Sequence, residues 1–190
     1  MKKQHIFDLI VIGGGSAGYA SARTAHEQKV KVAVIDNADE LGGLCILRGC
    51  MPSKTLLYSA EILHLANRGR TFGFEHANLG SDMEKMQQRK KEIIAEFADY
   101  RREQLEDGRF RLFRSKAKFL DSTTLELTDG TLLKAGKFII STGSTIGMPP
   151  VPGLDGVTFK TSDEVLSLSQ VPEEVVVLGG GIVACELAQF

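Results

Sequence analysis

Phe7 to Ile12 is a short, mostly apolar run that ends on three consecutive glycines, Gly13-Gly14-Gly15, and is followed by a small-residue stretch from Ser16 to Gln28. This order constrains the fold more than any other feature of the chain. A run of this length suits a strand buried on both faces, and small residues let the next helix lie close to a sheet. Val30 to Ile35 supplies a second buried strand, so residues 7–35 read as strand, helix, strand, the repeating unit of a parallel sheet. The pattern recurs where Val175 to Leu178, a further expected strand, runs into Gly179-Gly180-Gly181 and a helix-like segment. The recurrence points to two nucleotide-binding modules, the second unfinished at Phe190.

Gly13-Gly14-Gly15-Ser16-Ala17-Gly18 has the spacing G-x-G-x-x-G after a strand and at the opening of a helix. Gly13 permits the tight turn, Gly15 lets the backbone approach a pyrophosphate, and Gly18 lets helix and strand pack closely. The helix start around Ser16 and Ala17 offers unpaired N–H groups and a partial positive charge, worth about 0.3–1 kcal/mol per charge to a bound phosphate. Asp36 ends the second strand, where a carboxylate accepts hydrogen bonds from an adenosine ribose. A glycine pattern alone describes an ordinary tight turn; with strand, helix, strand and acid all present it points to dinucleotide binding. Gly179 and Gly181 are the matching candidates in Gly179-Gly180-Gly181-Ile182-Val183-Ala184, and the side chain that separates NAD from NADP is expected past Phe190.

Between the two loops, Pro52 suits the first turn of a helix running through Leu63 to about Arg68, with Gly69 as its stop. Ser81 and Glu84 have capping-box spacing for a charged helix that ends near Gly108, with an apolar stripe of Met83, Met86, Ile93, Phe97 and Tyr100. Arg111 to Phe119 and Thr123 to Leu127 read as strands, Asp129-Gly130 as a turn and Leu132-Leu133 as the return, a small antiparallel set, and Phe138 to Ser141 as a further buried strand. Proline and glycine crowd residues 147–156, which marks a change of direction. The fold expected is α/β: a Rossmann-like domain over residues 1–148 with a central parallel sheet and a small antiparallel β-meander, and over 149–190 a connector with the first strand and helix of an incomplete second one.

Composition narrows the function. The 190 residues carry 23 basic and 24 acidic groups with no basic stripe or clustered aromatics, a poor match to nucleic-acid binding. No apolar stretch of about 20 residues suggests a membrane span, and the N-terminus lacks the pattern of a secretory signal, so a cytoplasmic protein without membrane or nucleic-acid partners is the expectation. Three cysteines are too few for a disulfide scaffold. Cys45 and Cys50 lie five positions apart on a segment that leads into Pro52. As metal ligands they would need two more donors, but there is no second close pair and His5, His26, His64 and His76 show no ligand spacing, so no metal is expected. Buried structural thiols and reversible disulfide chemistry remain; the latter needs one thiol exposed to attack a substrate disulfide and the other beside an electron donor. Cys185, without a close partner, reads as a small packing residue.

Leu41-Gly42-Gly43-Leu44-Cys45 through Cys50-Met51-Pro52-Ser53-Lys54 resembles the redox motif of the pyridine nucleotide-disulfide oxidoreductases, the family of dihydrolipoamide dehydrogenase, glutathione reductase and mercuric reductase. The first glycine loop and Asp36 are similar to its FAD site, Ile139 to Ser144 to the strand and turn that closes over the flavin, and Thr161-Ser162-Asp163 with the second loop to the approach to its nicotinamide domain. The resemblance implies FAD as cofactor, with NAD or NADP in the full-length enzyme, and places Gly43, Thr142 and Gly143 at the flavin site. It gives Cys50 the position beside the flavin ring and makes Cys45 the interchange thiol. Lys54 matches the family lysine near the flavin's central nitrogen, and Glu186 the glutamate that pairs with it; solvated helix charges are the plainer reading of both.

The family commonly has asparagine and a small or apolar residue where this chain has Leu47 and Arg48, which leaves the substrate open. Its C-terminal histidine and glutamate, the first supplied by a partner subunit, and its dimerisation domain are expected outside this chain. The expected activity is that of an FAD-dependent disulfide oxidoreductase acting on a small-molecule disulfide or dithiol, dihydrolipoamide first and mercuric ion or a small disulfide second, in a full-length homodimer. A flavin oxidase or monooxygenase would share the glycine loop and Asp36 but have no use for the cysteine pair with Lys54. A stand-alone flavin-binding or interaction module is the alternative outside enzymology.

Overall fold

A computed structural model describes residues 3–75 and 79–190. The chain divides into two compact units that are not contiguous in sequence: Met1–Leu47 with Glu96–Ser144, and Arg48–Ala95 with Thr145–Phe190. The long helix α4 (Met83–Glu106) contributes its first half to the second unit and its last turns to the first.

The first unit is one sheet with helices on it. Strand β1 (Gln4–Ile12) leads through the glycine loop into α1 (Ser16–Glu27) and then β2 (Val32–Ile35); α2 (Gly43–Leu47) follows, and after α4 come β3 (Arg111–Phe113), β4 (Ala117–Asp121), β5 (Thr124–Leu127) and β6 (Leu132–Ile140). The spatial order is β3-β2-β1-β6-β5-β4, with β1 parallel to β2 and β6, β2 parallel to β3, and β4 and β5 antiparallel. The expected parallel core and antiparallel meander are therefore one continuous sheet. The two pieces expected at Leu132-Leu133 and Phe138 to Ser141 are a single strand, because β6 pairs with β5 by its first residues and with β1 along its length. The expected strand Arg111 to Phe119 is instead broken at residues 114–116, where the chain leaves the parallel ladder of β3 and enters the antiparallel one of β4. At the Asp129-Gly130 turn Gly130 adopts φ +81°, and the Asp129 carboxylate accepts from Thr131 N and Oγ1, which holds it below the ordinary carboxylate pKa.

The sheet buries apolar residues on both faces. Leu9, Val11, Val32 and Val34 pack with Tyr19 and Ala22 of α1 and Leu105 of α4; Ile10, Ala33 and Ile35 pack with Leu125, Leu127 and Leu133 on the other face. Phe7 has the parity of Leu9 yet lies with Ile10. The face changes where the pairing of β1 with β2 begins: Asp8 N and Leu9 N both donate to Lys31 O, at 3.0 and 3.3 Å, while the register with β6 runs on unbroken.

In the second unit, α3 (Cys50–Asn67) has Pro52 in its first turn and ends with Arg68 as its C-cap, as the sequence suggests, and Gly69 then opens a 3₁₀ turn, Gly69–Phe72. Asp82, not Ser81, caps α4: its carboxylate accepts from Lys85 N at 3.1 Å and its carbonyl from Met86 N. The buried face of that helix is Met83, Gln87, Lys90, Ala98 and Leu105, while Phe97 and Tyr100 are exposed, so the expected apolar stripe is rotated. Gln87 Nε2 and Lys90 Nζ donate to carbonyls of Leu166 and Leu168, just after α5 (Ser162–Val165); these polar side chains are buried because each has an acceptor there. Burial pushes Lys90 below the ordinary lysine pKa. Helix α6 (Ile182–Gln189) ends the chain. The strand expected at Val175 to Leu178 does not form: these residues are exposed coil, because the described residues place no strand beside them to complete a ladder. Among the described residues no helix is long and apolar enough to cross a membrane.

Amide exchange at Val175 to Leu178 is expected at the rate of unstructured chain, with Ile10 and Val11 strongly protected. Equal protection in the two segments, read by exchange mass spectrometry, would contradict this account.

Candidate functional site

The carboxyl ends of β1, β2 and β6 meet at one edge of the first unit, and β1 is the strand from which the chain order runs both ways, the position at which open α/β sheets bind ligands. Each strand delivers part of the site. At the end of β1, Gly13 takes φ +101°, and a Cβ there would run into the carbonyl of Ser141, which follows β6. At Gly18 a Cβ would overlap Gly13 O and lie 2.7 Å from Ser141 Oγ. The first and third glycines are thus required by one close approach of α1 to the ends of β1 and β6. Ser141 Oγ lies 3.0 Å from both Ile12 O and Gly13 O and shares its single proton between them. This serine pins the loop, and only the carbonyl positions it meets, not the sequence pattern, single it out.

Gly15 is the N-cap of α1 and has no side chain to cap with, so the first amides of the helix, at Ser16, Ala17 and Gly18, point to the strand ends without a capping side chain. A Cβ on Gly15 would be 3.5 Å from Gly43 Cα, and one on Gly43, at φ +74°, only 2.5 Å from Gly15 Cα. Gly43 opens α2, so glycine at position 43 lets α2, with Cys45 as its third residue, lie against the loop, where a Cβ on Gly15 would make only ordinary contact. Thr142 and Gly143 follow β6 in exposed coil, Gly143 at φ +78°.

Asp36 ends β2 and spends one oxygen on Gly14 N (2.7 Å) and the other on Ala38 N (2.8 Å). A carboxylate has roughly four acceptor positions, so two remain for a ribose diol. Gly14, unremarked in the sequence pattern, is held by this bond. Arg114 Nη2 in turn donates to the carbonyls of Ala38 and Asp39, fixing the segment after Asp36. A cradle that a Cβ at Gly13, Gly18 or Gly43 would fill, open helix amides and a half-used carboxylate fit the pyrophosphate and ribose of a dinucleotide such as FAD. Behind the loop, Arg101 stacks its guanidinium 4.2 Å from the centre of the Tyr19 ring and keeps a buried Nη1 without a partner among the described residues. Burial lowers its pKa, against the opposing pull of Tyr19 and Cys45.

The second unit holds the remaining candidates. Cys50 opens α3 and is exposed; Cys45, in the first unit, is half-buried. Lys54 Nζ of α3 and Glu186 of α6 form an ion pair, their side chains 58% and 31% exposed. Arg48 pairs with Asp163 at 3.3 Å, so the cation between the two cysteines is directed onto α5. The second loop repeats the first in backbone form: Gly179 has φ +112° beside +101° at Gly13, and N-cap Gly181 has φ −75°, ψ 173° beside −65°, −170° at Gly15. Around Gly179 and Gly181 nothing crowds a Cβ, so here only the left-handed φ of Gly179 calls for glycine. Cys185, expected to pack, is exposed, its thiol 3.6 Å from Gly180 O. Among the described residues no three His, Cys, Asp or Glu side chains gather as a metal site; His76 lies outside them.

A family model described as pyridine nucleotide-disulphide oxidoreductase matches residues 7–190. A mercuric reductase of Lysinibacillus sphaericus is 33% identical over 185 residues, covering 97% of this chain and 34% of its own length. A dihydrolipoyl dehydrogenase of Bacillus subtilis is 32% identical over 196 residues, covering 97% of this chain and 41% of its own length. The solved structure of a Cu(II) complex of the HOCl-induced flavoprotein disulfide reductase RclA from Escherichia coli superposes with TM-score 0.77 at 27% identity, over 95% of this chain and 38% of that one. The chain therefore spans about a third to two-fifths of the length of these relatives.

Because an ion pair this exposed contributes only about 0–1 kcal/mol, Glu186→Gln is expected to lower stability by less than about 1 kcal/mol in urea unfolding. A larger loss would make the pair a structural fastening.

Proposed function

The chain belongs to the pyridine nucleotide-disulphide oxidoreductase family, and on that premise we propose that it carries the FAD-binding part and the redox cysteines of a disulfide oxidoreductase. What supports the reading is the glycine cradle at the ends of β1, β2 and β6 with the Cys45 helix packed against it. The proposed functional division follows residues 1–148 for the FAD-binding domain and 149–190 for the start of the NAD(P)-binding one, with Gly179 and Gly181 serving the second dinucleotide.

The residues act by position. Amides at the start of α1 hold the pyrophosphate, Asp36 the ribose, and Gly43, Thr142 and Gly143 leave the backbone open at the ring end. Bound FAD supplies the two-electron chemistry that links a pyridine nucleotide to the dithiol of Cys45 and Cys50. Toward a substrate disulfide, the Cys45 thiolate attacks one sulfur, forms a mixed disulfide and expels one thiolate. Cys50, as thiolate, then attacks the Cys45 sulfur, closes the Cys45–Cys50 disulfide and releases the second substrate thiolate; two protein thiols are oxidised and one substrate disulfide is reduced. Reversal of these steps oxidises a dithiol. Lys54 is paired with Glu186, and the reading assigns this lysine the positive charge that supports negative charge on reduced flavin.

Dihydrolipoamide is the first substrate of this reading and mercuric ion the second, since the relatives include enzymes named for each. A small disulfide is a further candidate of the same chemistry. For the whole enzyme the reading carries NAD or NADP, a homodimer and a cytoplasmic location.

Alkylation before and after reduction tests it. Of the three cysteines, only Cys185 is expected to be alkylated in air-oxidised, denatured protein, all three after dithiothreitol, and peptide mapping is expected to recover a Cys45–Cys50 link. Full alkylation of Cys45 and Cys50 without reductant would sink the proposal.

A further inference from the structure

At the opposite edge of the first unit, the amino ends of β1, β2 and β3 and the C-terminus of α1 surround an open cleft of about 1010 Å³. His5, His26, Lys29, Lys31, Arg109 and Arg111 line it, and among the described residues no acidic one does. Two carboxylates bond to lining residues without themselves lining the cleft: Asp8 accepts from Lys31 N at 2.8 Å, and Asp107 from Arg109 Nε at 2.6 Å. Arg109 is thereby partly neutralised, which leaves Lys29, Lys31 and Arg111 as the lining Lys and Arg residues without a carboxylate bond among the described residues.

Two of these cations are seated on rings. Phe7 meets Phe113 edge-on at 6.0 Å; Lys31 Nζ lies 5.3 Å from the Phe7 ring centre, and Arg111 Cζ 5.0 Å from that of Phe113. Lys29 is placed by backbone. It is the one non-glycine residue with positive φ among those described, at +61°. It sits where the end of α1 closes, Lys29 N donating to His26 O and Val30 N to Ala25 O. Glycine is the residue this closure favours, because a Cβ in the left-handed region costs free energy. A lysine there carries that cost and adds a charge to the cleft. The helix-end carbonyls already have these amide partners, so capping alone does not account for Lys31, just before β2, or Arg111, in β3.

The geometry points to a second anion site, distinct from the glycine loops, that takes a compact oligophosphate, either inorganic or the phosphate chain of a nucleotide. Concentrated positive charge with no lining acid suits a ligand of several negative charges, and the cleft volume is at the upper end of ordinary small-molecule sites, about 300–1000 Å³. The inference is independent of the flavin reading.

Calorimetric titration of inorganic tripolyphosphate into the FAD-saturated chain tests the site, with ATP as a second arm. One tripolyphosphate per chain is expected, weakened by added salt. Equal affinity for ATP identifies the phosphates alone as the ligand, and tighter ATP binding identifies a nucleotide. The combined variant Lys29→Gln, Lys31→Gln and Arg111→Gln is expected to bind about tenfold or more weakly, since charge-assisted contacts are the strong ones, with flavin absorbance unchanged. Lys29→Gly separates ligand binding from structure: it is expected to keep or raise the melting temperature while weakening tripolyphosphate binding. No binding by the wild type, or wild-type affinity in the folded triple variant or in Lys29→Gly, would overturn the site. Because FAD retention is read separately, loss of the flavin site and loss of this one give different results.

Discussion

Gly13 and Gly18 meet each other and the backbone of Ser141 at a distance that leaves no room for a Cβ on either glycine. The loop carbonyl of Gly13 occupies the place a Cβ on Gly18 would need, and the carbonyl of Ser141 the place a Cβ on Gly13 would need. Helix α1 can start directly above the end of β1 only under that condition, and the Ser141 hydroxyl then ties the end of β6 to the same loop. The packing of Tyr19 and Ala22 on the sheet follows from the position this contact gives α1. So does the direction of the unpaired helix amides. Structural necessity and the candidate binding chemistry therefore rest on the same few atoms.

Strand β6 extends that constraint across the sheet. It lies beside β1 in parallel and also starts the antiparallel ladder with β5, so the meander is fastened to the strand that carries the glycine loop. The sheet's two edges differ in chemistry. At the carboxyl edge, glycines remove side chains and leave backbone amides; at the amino edge, Phe7 and Phe113 seat cations on their rings. One edge offers oriented N–H dipoles, the other side-chain charge.

The glycine loop was legible in sequence because sterics dictate it: spacing, flanking strands and the acid at Asp36 all express one geometry. Features that depend on a neighbour were not. Lys134, Gly136 and Lys137 interrupt the apolar run of β6, hiding a nine-residue strand whose continuity comes from its partners. Val175 to Leu178 has a strand's composition without a ladder to join. Helix α4 turns Gln87 and Lys90 inward because carbonyls after α5 receive them, against the periodicity of its apolar residues. Lys54 and Glu186 lie on helices far apart in sequence, and local pattern gives no hint of their pairing; it came from family resemblance and is present as an ion pair within the second unit. The roles of the cysteines, by contrast, rest on sequence motif and family, and chemistry must decide them.

The central claim is that the cradle at the ends of β1, β2 and β6 binds a flavin dinucleotide. Titration of the chain with FAD, followed by flavin fluorescence anisotropy and compared with a Gly15→Val variant shown by circular dichroism to be folded, tests it most directly. The account predicts one FAD per wild-type chain and at least about a tenfold loss, or roughly 1.4 kcal/mol, in the variant. A folded wild-type chain that leaves the anisotropy of free FAD unchanged, or a variant that binds as well, would contradict it.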